Sequence, residues 1–266
     1  MMDLPEPEKD SCTKGLTTRL IGTVINFHDQ LGSTNEMATE LAKGGAKEGT
    51  VVVARTQTKG KGRNDKEFSS PRGGIYLSVI LKPDMPPDKI YTLPLVMGLS
   101  VSKAIQCSTS KVATVKWPND VILEERKVAG ILMVPSIKGM QLEFVIVGIG
   151  INLNTESENF SEEAGKVAGS IREITGKIID PNEFLRDLMY FLDLNYSQFL
   201  NGQSEDLLDQ WAKRSDTIGS EVKVTAGSRE IRGKALGLDQ TGALIVQTRG
   251  GMKRITSGEC TSLSQD

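Results

Sequence analysis

The sequence predicts an α+β protein: a mixed sheet with helices packed on it, followed by a small all-β module. Strand-like runs alternate with segments of helical apolar spacing through the first two hundred residues, the pattern of mixed α/β layers. The last fifty residues hold only short alternating runs broken by glycine, as in a small barrel-like β unit. A composition change at Asp216 to Gly219 places the boundary, giving an N-terminal extension (1–20), a main domain (21–215) and a C-terminal module (216–266). A module that small is marginal alone and should dock on the main domain.

The elements follow in order. GTVINF, Gly22 to Phe27, reads as a strand. A helix comes next, with Ser33 and Glu36 at capping-box spacing, Met37 and Leu41 at helical spacing and Gly44 as a stop. VVVART and IYLSVIL are buried strands on either side of the polar stretch Gln57 to Gly74, and Leu93 to Gln106 is apolar at helical spacing. From Val112 an antiparallel meander is expected: VATVKW, VILEE, a turn at Arg126, VAGILMV and QLEFVIVGIGINL. Asp180-Pro181-Asn182-Glu183 starts a helix, with Asp as N-cap and Pro in the first turn. Its apolar face is Phe184, Leu188, Phe191, Leu192 and Phe199, and a shorter helix lies near Leu207 to Trp211. EVKVT, EIRGKALGLD, GALIVQT and MKRITSG are the strands of the module.

Composition removes several function classes. Apolar residues make up 38% and charged residues 25% of 266, with net charge −2, so a global field does not draw the molecule to nucleic acid and anion binding must come from local clusters. Cys12, Cys107 and Cys260 are far apart without CxxC spacing, which fits a reducing compartment and argues against zinc or disulfides. The acidic MMDLPEPEKD start lacks the regions of a signal peptide, and no apolar run reads as a membrane helix; a soluble, cytoplasmic protein is expected. His28 is the single histidine, so a Ser-His-Asp triad or a His-rich metal site would hang on one residue near a strand end.

Glycine and lysine carry the remaining signals. Gln57 to Gly74 holds five cations and four glycines, a length of connection that is either functional or disordered. Within it Lys59, Lys61, Arg63 and Lys66 stand against Asp65, and Gly60 and Gly62 let backbone approach a ligand; a phosphate cradle and a solvated loop both fit. In KWPND, turn chemistry explains Pro118 to Asp120 but not Trp117, which offers a stacking surface beside Lys116 and Asp120. Asp120 has the chemistry to bind a metal or orient an amine. Lys127 opens a strand containing Ala129 and Gly130, and GIGINLN from Gly148 to Asn154 reads as a strand end.

Taken in order and spacing, GSTN, QTKGKGRNDKEFSSPRGGIYLS, KWPND, RKVAGIL and GIGINLN resemble the biotin protein ligase family, over about Gly22 to Leu263. The resemblance implies a core like that of class II aminoacyl-tRNA synthetases and an SH3-like C-terminal barrel. It implies an enzyme that joins biotin to ATP with Mg2+, forming biotinyl-5′-AMP and pyrophosphate, and then biotinylates one lysine of a biotin carboxyl carrier protein or domain. By the same resemblance Ser33, Thr34, Asn35, Gln57, Gly60, Arg63, Gly74, Tyr76, Leu77, Ser78, Lys127, Gly130 and Leu132 would contact biotin. Lys61, Phe68, Trp117, Asn119 and Asn152 would lie along the nucleotide, with Lys127, Arg63 and Asp120 catalytic and the glycine-hinged loop closing as a lid. No metal ligands are assigned. The family's GRGRxGRxW becomes Gly60 to Phe68 here, with lysine for two arginines, Asp65 for glycine and Phe68 for tryptophan; lysine keeps the charge but loses the bidentate fork. About twenty residues before the first strand leave no room for the DNA-binding domain of bifunctional members, so no operator binding is expected. An exposed sheet edge would support a homodimer. Two other readings stay open: a lipoate or octanoate ligase or transferase of the same core, and a biotin-binding regulatory protein without catalysis.

Overall fold

The computed structural model describes residues 4–64, 66–160 and 162–263. Its elements are α1 (Lys9–Thr13), β1 (Ile25–Leu31), α2 (Thr34–Lys43), β2 (Val51–Gln57), β3 (Ile75–Leu81), α3 (Leu93–Thr109), β4 (Thr114–Lys116), β5 (Asp120–Leu123), β6 (Arg126–Lys138) and β7 (Gln141–Ile151). Then follow α4 (Glu162–Gly165), α5 (Ile171–Thr175), α6 (Pro181–Leu200), α7 (Ser204–Ala212), β8 (Glu221–Ala226), β9 (Arg229–Leu238), β10 (Leu244–Thr248), β11 (Gly251–Ile255) and β12 (Glu259–Ser262).

The main sheet runs β1-β2-β3-β7-β6-β5-β4. Only β1 and β2 pair in parallel, because α2 crosses between them, and the meander from β4 to β7 is antiparallel. β3 is buried along its whole length, which explains why IYLSVIL is so uniformly apolar. On one face Leu77, Val79, Val147 and Ile149 pack with α3 and with Phe184, Leu188 and Leu192 of α6. On the other, Ala38 and Ala42 of α2 cover Val52, Ile80 and Ile146. Each fully buried Leu, Ile or Val contributes about 1.5–3 kcal/mol, so the strand and helix periods alone orient these layers.

Local signals are partly corrected. Asp180 caps α6 by accepting from Asn182 N and Glu183 N at 2.8 and 3.3 Å, as its sequence predicts. Ser33 stands at the N-cap of α2 but makes no side-chain cap bond; Glu36 reaches Lys61 instead, at 2.6 Å. The turn read at Arg126 is made by Glu124 and Glu125, both at positive φ, and Arg126 already belongs to β6. Pro87–Thr109 does have the length and apolarity of a membrane span, contrary to the sequence reading, but 72% of its most apolar window is buried in protein, as in a core helix.

The C-terminal module is a five-stranded antiparallel sheet of SH3-like kind, ordered β11-β10-β9-β8-β12. Its fifth strand, β12, escapes the sequence reading because ECTS buries a single side chain. The expected docking is present: Trp117 Nε1 donates to Gly242 O at 3.1 Å and Trp117 N to Thr217 Oγ1 at 3.1 Å. Gly242 has φ +79, and a Cβ there would fall 2.7 Å from Leu95 Cδ1, so the contact requires glycine.

At the N-terminal end, Asp193 of α6 holds the chain before β1. Its carboxylate accepts from Arg19 N, Leu20 N and Ile21 N at 2.9, 2.9 and 2.8 Å, and the residue is 7% exposed. Asp193→Asn replaces one acceptor oxygen with a donor facing a backbone N–H. A loss of about 1–2 kcal/mol is expected, seen as a melting temperature lower by about 2–6 °C; an unchanged value would show that these bonds do not stabilise the fold.

Candidate active site

A cleft of about 690 Å³ opens over the carboxyl half of the main sheet. Its floor is glycine. Gly130 of β6 pairs with Gly150 of β7, and Gly148 lies two pairs further along on the same face, opposite Leu132. A Cβ at Gly148 would fall 2.2 Å from Asn35 Oδ1, and one at Gly150 2.3 Å from the Phe68 ring. The missing side chains therefore let Asn35 and Phe68 lie directly on the sheet.

One end of the cleft is neutral and hydrogen-bonding. Thr34 N and Oγ1 donate to Gln57 Oε1 at 2.8 and 3.0 Å, while Gln57 Nε2 donates to Ser70 Oγ at 2.9 Å. Beneath them the Ser78 hydroxyl lies 2.8 Å from Thr34 Oγ1 and 2.6 Å from Asn35 Oδ1. With its oxygen engaged there, Asn35 keeps its amide N–H groups for a ligand.

The other end is charged. Lys127 Nζ is 2.7 Å from Asp120 Oδ1, with both side chains about two-thirds buried or more. A bulge creates this pair. Asp120 pairs with Gly130 and Val121 with Ala129, but the register then shifts so that Ile122 faces Lys127. An unbroken ladder would set Lys127 opposite Leu123, whose side chain is buried in the core; the extra residue turns the lysine to the face of Asp120. Beside it Arg63 donates to Asn119 Oδ1 at 3.0 Å and to Gly258 O at 3.2 Å, and Asn119 Nδ2 donates to Ile131 O at 2.7 Å. Burial pulls the Arg63 guanidinium below its ordinary pKa, against the pull of Asp120 and Glu259. Seven Lys and Arg side chains line the cleft against four Asp and Glu, so the field inside is positive although the chain is not.

The loop 57–74 folds over this site rather than into solvent. Gly62 N donates to Lys66 O and Phe68 N to Gly60 O, at 2.7 and 2.9 Å. The Phe68 ring rests over Gly130 and Gly150. Lys61 pairs with Glu36 and Lys66 with Glu259, each at 2.6 Å. Lys59 does not line the cleft, and Asp65 lies outside the described residues.

Ser33, Thr34, Asn35, Gln57, Gly130 and Leu132 thus meet in one cleft with Lys61, Arg63, Phe68, Trp117, Asn119, Asp120 and Lys127. Other expected contacts stand back from its lining. Gly60, Gly74, Tyr76, Leu77 and Ser78 do not line it. A Cβ on Gly60 would meet Phe68 O at 2.3 Å, and one on Gly74 would meet Tyr76 Oη at 2.1 Å. Tyr76 donates to Pro71 O at 2.7 Å and braces the root of the loop, and burial raises its phenol pKa well above normal. Leu77 points into the core, because alternation sends it to the face opposite Tyr76 and Ser78. Trp117 forms a cleft wall but is only 2% exposed, with its indole N–H already used, so it is no open stacking platform. Asn152 is 4% exposed and sits behind the wall, its Nδ2 donating to Gly169 O at 3.2 Å and its Oδ1 buried without a partner. Lys116 lines the cleft beside Trp117 as the sequence suggests, while Gly148, Gly150, Lys166 and Glu259 were not singled out as site residues; the GIGIN spacing was the available signal for the two glycines.

Residues 27–152 match the model of the biotin/lipoate A/B protein ligase family, and residues 217–261 match the biotin protein ligase C-terminal domain. A biotin--[acetyl-CoA-carboxylase] ligase of Paracoccus denitrificans is 32% identical over 237 residues, covering 85% of this chain and 95% of that protein. The chain belongs to the biotin protein ligase family. The bifunctional ligase/repressor BirA of Bacillus subtilis is also 32% identical, over 92% of this chain and 76% of its own length. Among solved structures, the biotin protein ligase of Aquifex aeolicus in complex with biotin and ATP superposes with a TM-score of 0.78 at 34% identity, covering 90% of this chain and 98% of that one. The glycine floor, the Lys127–Asp120 pair and the folded loop all lie within the residues that match the ligase family model.

Proposed function

We propose that this cleft joins biotin to ATP and passes the biotinyl group to a lysine of a biotin carboxyl carrier protein or domain. The observation that carries this is the split character of the cleft: a neutral hydrogen-bonding end at Thr34, Asn35 and Gln57, and a cationic end at Lys127 and Arg63, joined by a floor without side chains. The neutral end suits the uncharged ring of biotin and the cationic end its carboxylate. That carboxylate is ionised at neutral pH and is itself the nucleophile, so the lack of a histidine triad is no obstacle.

A carboxylate oxygen attacks the α-phosphorus, the bond from that phosphorus to the bridging oxygen breaks, and pyrophosphate leaves. Bringing the two anions within ~3.5 Å costs about 5 kcal/mol at an effective dielectric of ~20, which Lys127 and Arg63 offset. In the second step the carrier amine attacks the acyl carbon and AMP leaves; Asp120 orients the incoming amine and draws off its proton. The unpartnered Asn152 Oδ1 suits an exocyclic amine of the nucleotide once its wall adjusts. Among the described residues no three His, Cys, Asp or Glu side chains cluster as metal ligands; magnesium fits as an ion carried on the ATP phosphates.

In this reading residues 21–215 form the catalytic unit, 216–266 the accessory module, and the loop 57–74 a lid that keeps water from the mixed anhydride. Free Cys12, Cys107 and Cys260 suit a cytoplasmic setting. β4 is bridged by Ser215, which leaves β1 as the open edge for a homodimer. Pyrophosphate release with ATP, magnesium and either biotin or lipoate is the test. Biotin-dependent release is expected; lipoate-dependent release would indicate the lipoate reading, and none would indicate a regulatory binding protein.

A further inference from the structure

Arg63, Asn64 and Lys66 are fastened to the C-terminal module at a single corner. Lys66 Nζ lies 2.6 Å from Glu259 Oε1, Asn64 Nδ2 reaches the same oxygen at 3.5 Å, and Arg63 donates to Gly258 O at 3.2 Å. That corner is fixed on its own side. A Cβ on Gly258 would meet Thr225 O at 2.8 Å, and Glu259 opens β12 opposite Thr225 of β8. The loop is therefore tied to a strand end that is itself paired into the second sheet. Lys66 also holds the Glu259 carboxyl below the usual range.

We infer that Glu259 is a positioning residue: its carboxylate latches the loop over the cleft, so that closure on the adenylate depends on the C-terminal module. The inference rests on the cleft being the adenylate site, but the latch itself can be tested without substrate. Glu259 and Lys66 are both more than half exposed, and such pairs contribute a factor of up to about five. Glu259→Ala should accordingly speed hydrogen exchange of the Gly62 and Phe68 amides about two- to fivefold. Glu259→Lys, which sets like charges together, should speed it about tenfold or more. Combining it with Lys66→Glu restores the attraction, and exchange should return to within about twofold of the parent.

The same variants are then loaded with biotin and ATP, and the half-life of bound adenylate is followed against excess unlabelled biotin. It should shorten in the order of the exchange rates and recover in the double variant, with thermal unfolding unchanged throughout. Parent-like exchange in Glu259→Lys, or no recovery in the folded double variant, would overturn the latch. A parent protein that forms no adenylate would instead refute the proposed reaction, while the exchange data still decide the latch.

Discussion

Lys127→Ala is expected to slow adenylate formation by about 10²-fold or more, the scale on which a single charge-stabilising donor acts. The lysine is aimed by the β6 bulge and held at 2.7 Å by Asp120, so its ammonium is already in place where two anions must meet. Its removal also uncovers a carboxylate. Asp120, no longer neutralised, would face the incoming biotin carboxylate and repel it, so biotin binding should weaken along with the chemistry. Asp120→Asn in the Lys127→Ala background should recover part of the binding loss and little of the rate. Rapid-quench measurement of pyrophosphate in a single turnover, with biotin affinity measured separately, resolves the two. A parent-like single-turnover rate in Lys127→Ala would remove this residue from the reaction.

The bulge also shows where the sequence stops being legible. KVAGIL reads correctly as a strand because its apolar pattern is local, and α6 reads correctly because Asp180, Pro181 and Glu183 are local too. Which face Lys127 takes depends on one extra residue in β6, and nothing in the residue types marks it. Leu77 shows the same limit: a motif places it beside Tyr76 and Ser78 in sequence, while the pleat sends it to the far face. Trp117 is set by a longer range. Its aromatic character is plain, but its buried role depends on Gly242, 125 residues away. Glu259 lies 195 residues from Asn64, in a strand too short to announce itself. Signals carried within one segment were readable; placements set by a bulge or by contact between the two sheets were not.

Arg63→Gly should let the adenylate escape, with a release rate about 10²-fold higher and biotin appearing on unrelated lysines. The arginine spans three parts of the protein: its own loop, Asn119 after β4 and Gly258 of the C-terminal module. Hydrogen bonds from a charged donor are worth about 1.5–3 kcal/mol each, and glycine adds backbone freedom of about 0.5–1 kcal/mol to a stretch already hinged at Gly60 and Gly62. Both losses bear on closure, so retention should suffer more than synthesis. Pyrophosphate formation in a single turnover should therefore fall much less than the half-life of bound adenylate. Incubation with a bystander protein, followed by detection of biotin on it, reads the leak directly. Modification confined to the carrier lysine would contradict the role given to Arg63, because an open lid delivers a reactive anhydride to any nearby amine.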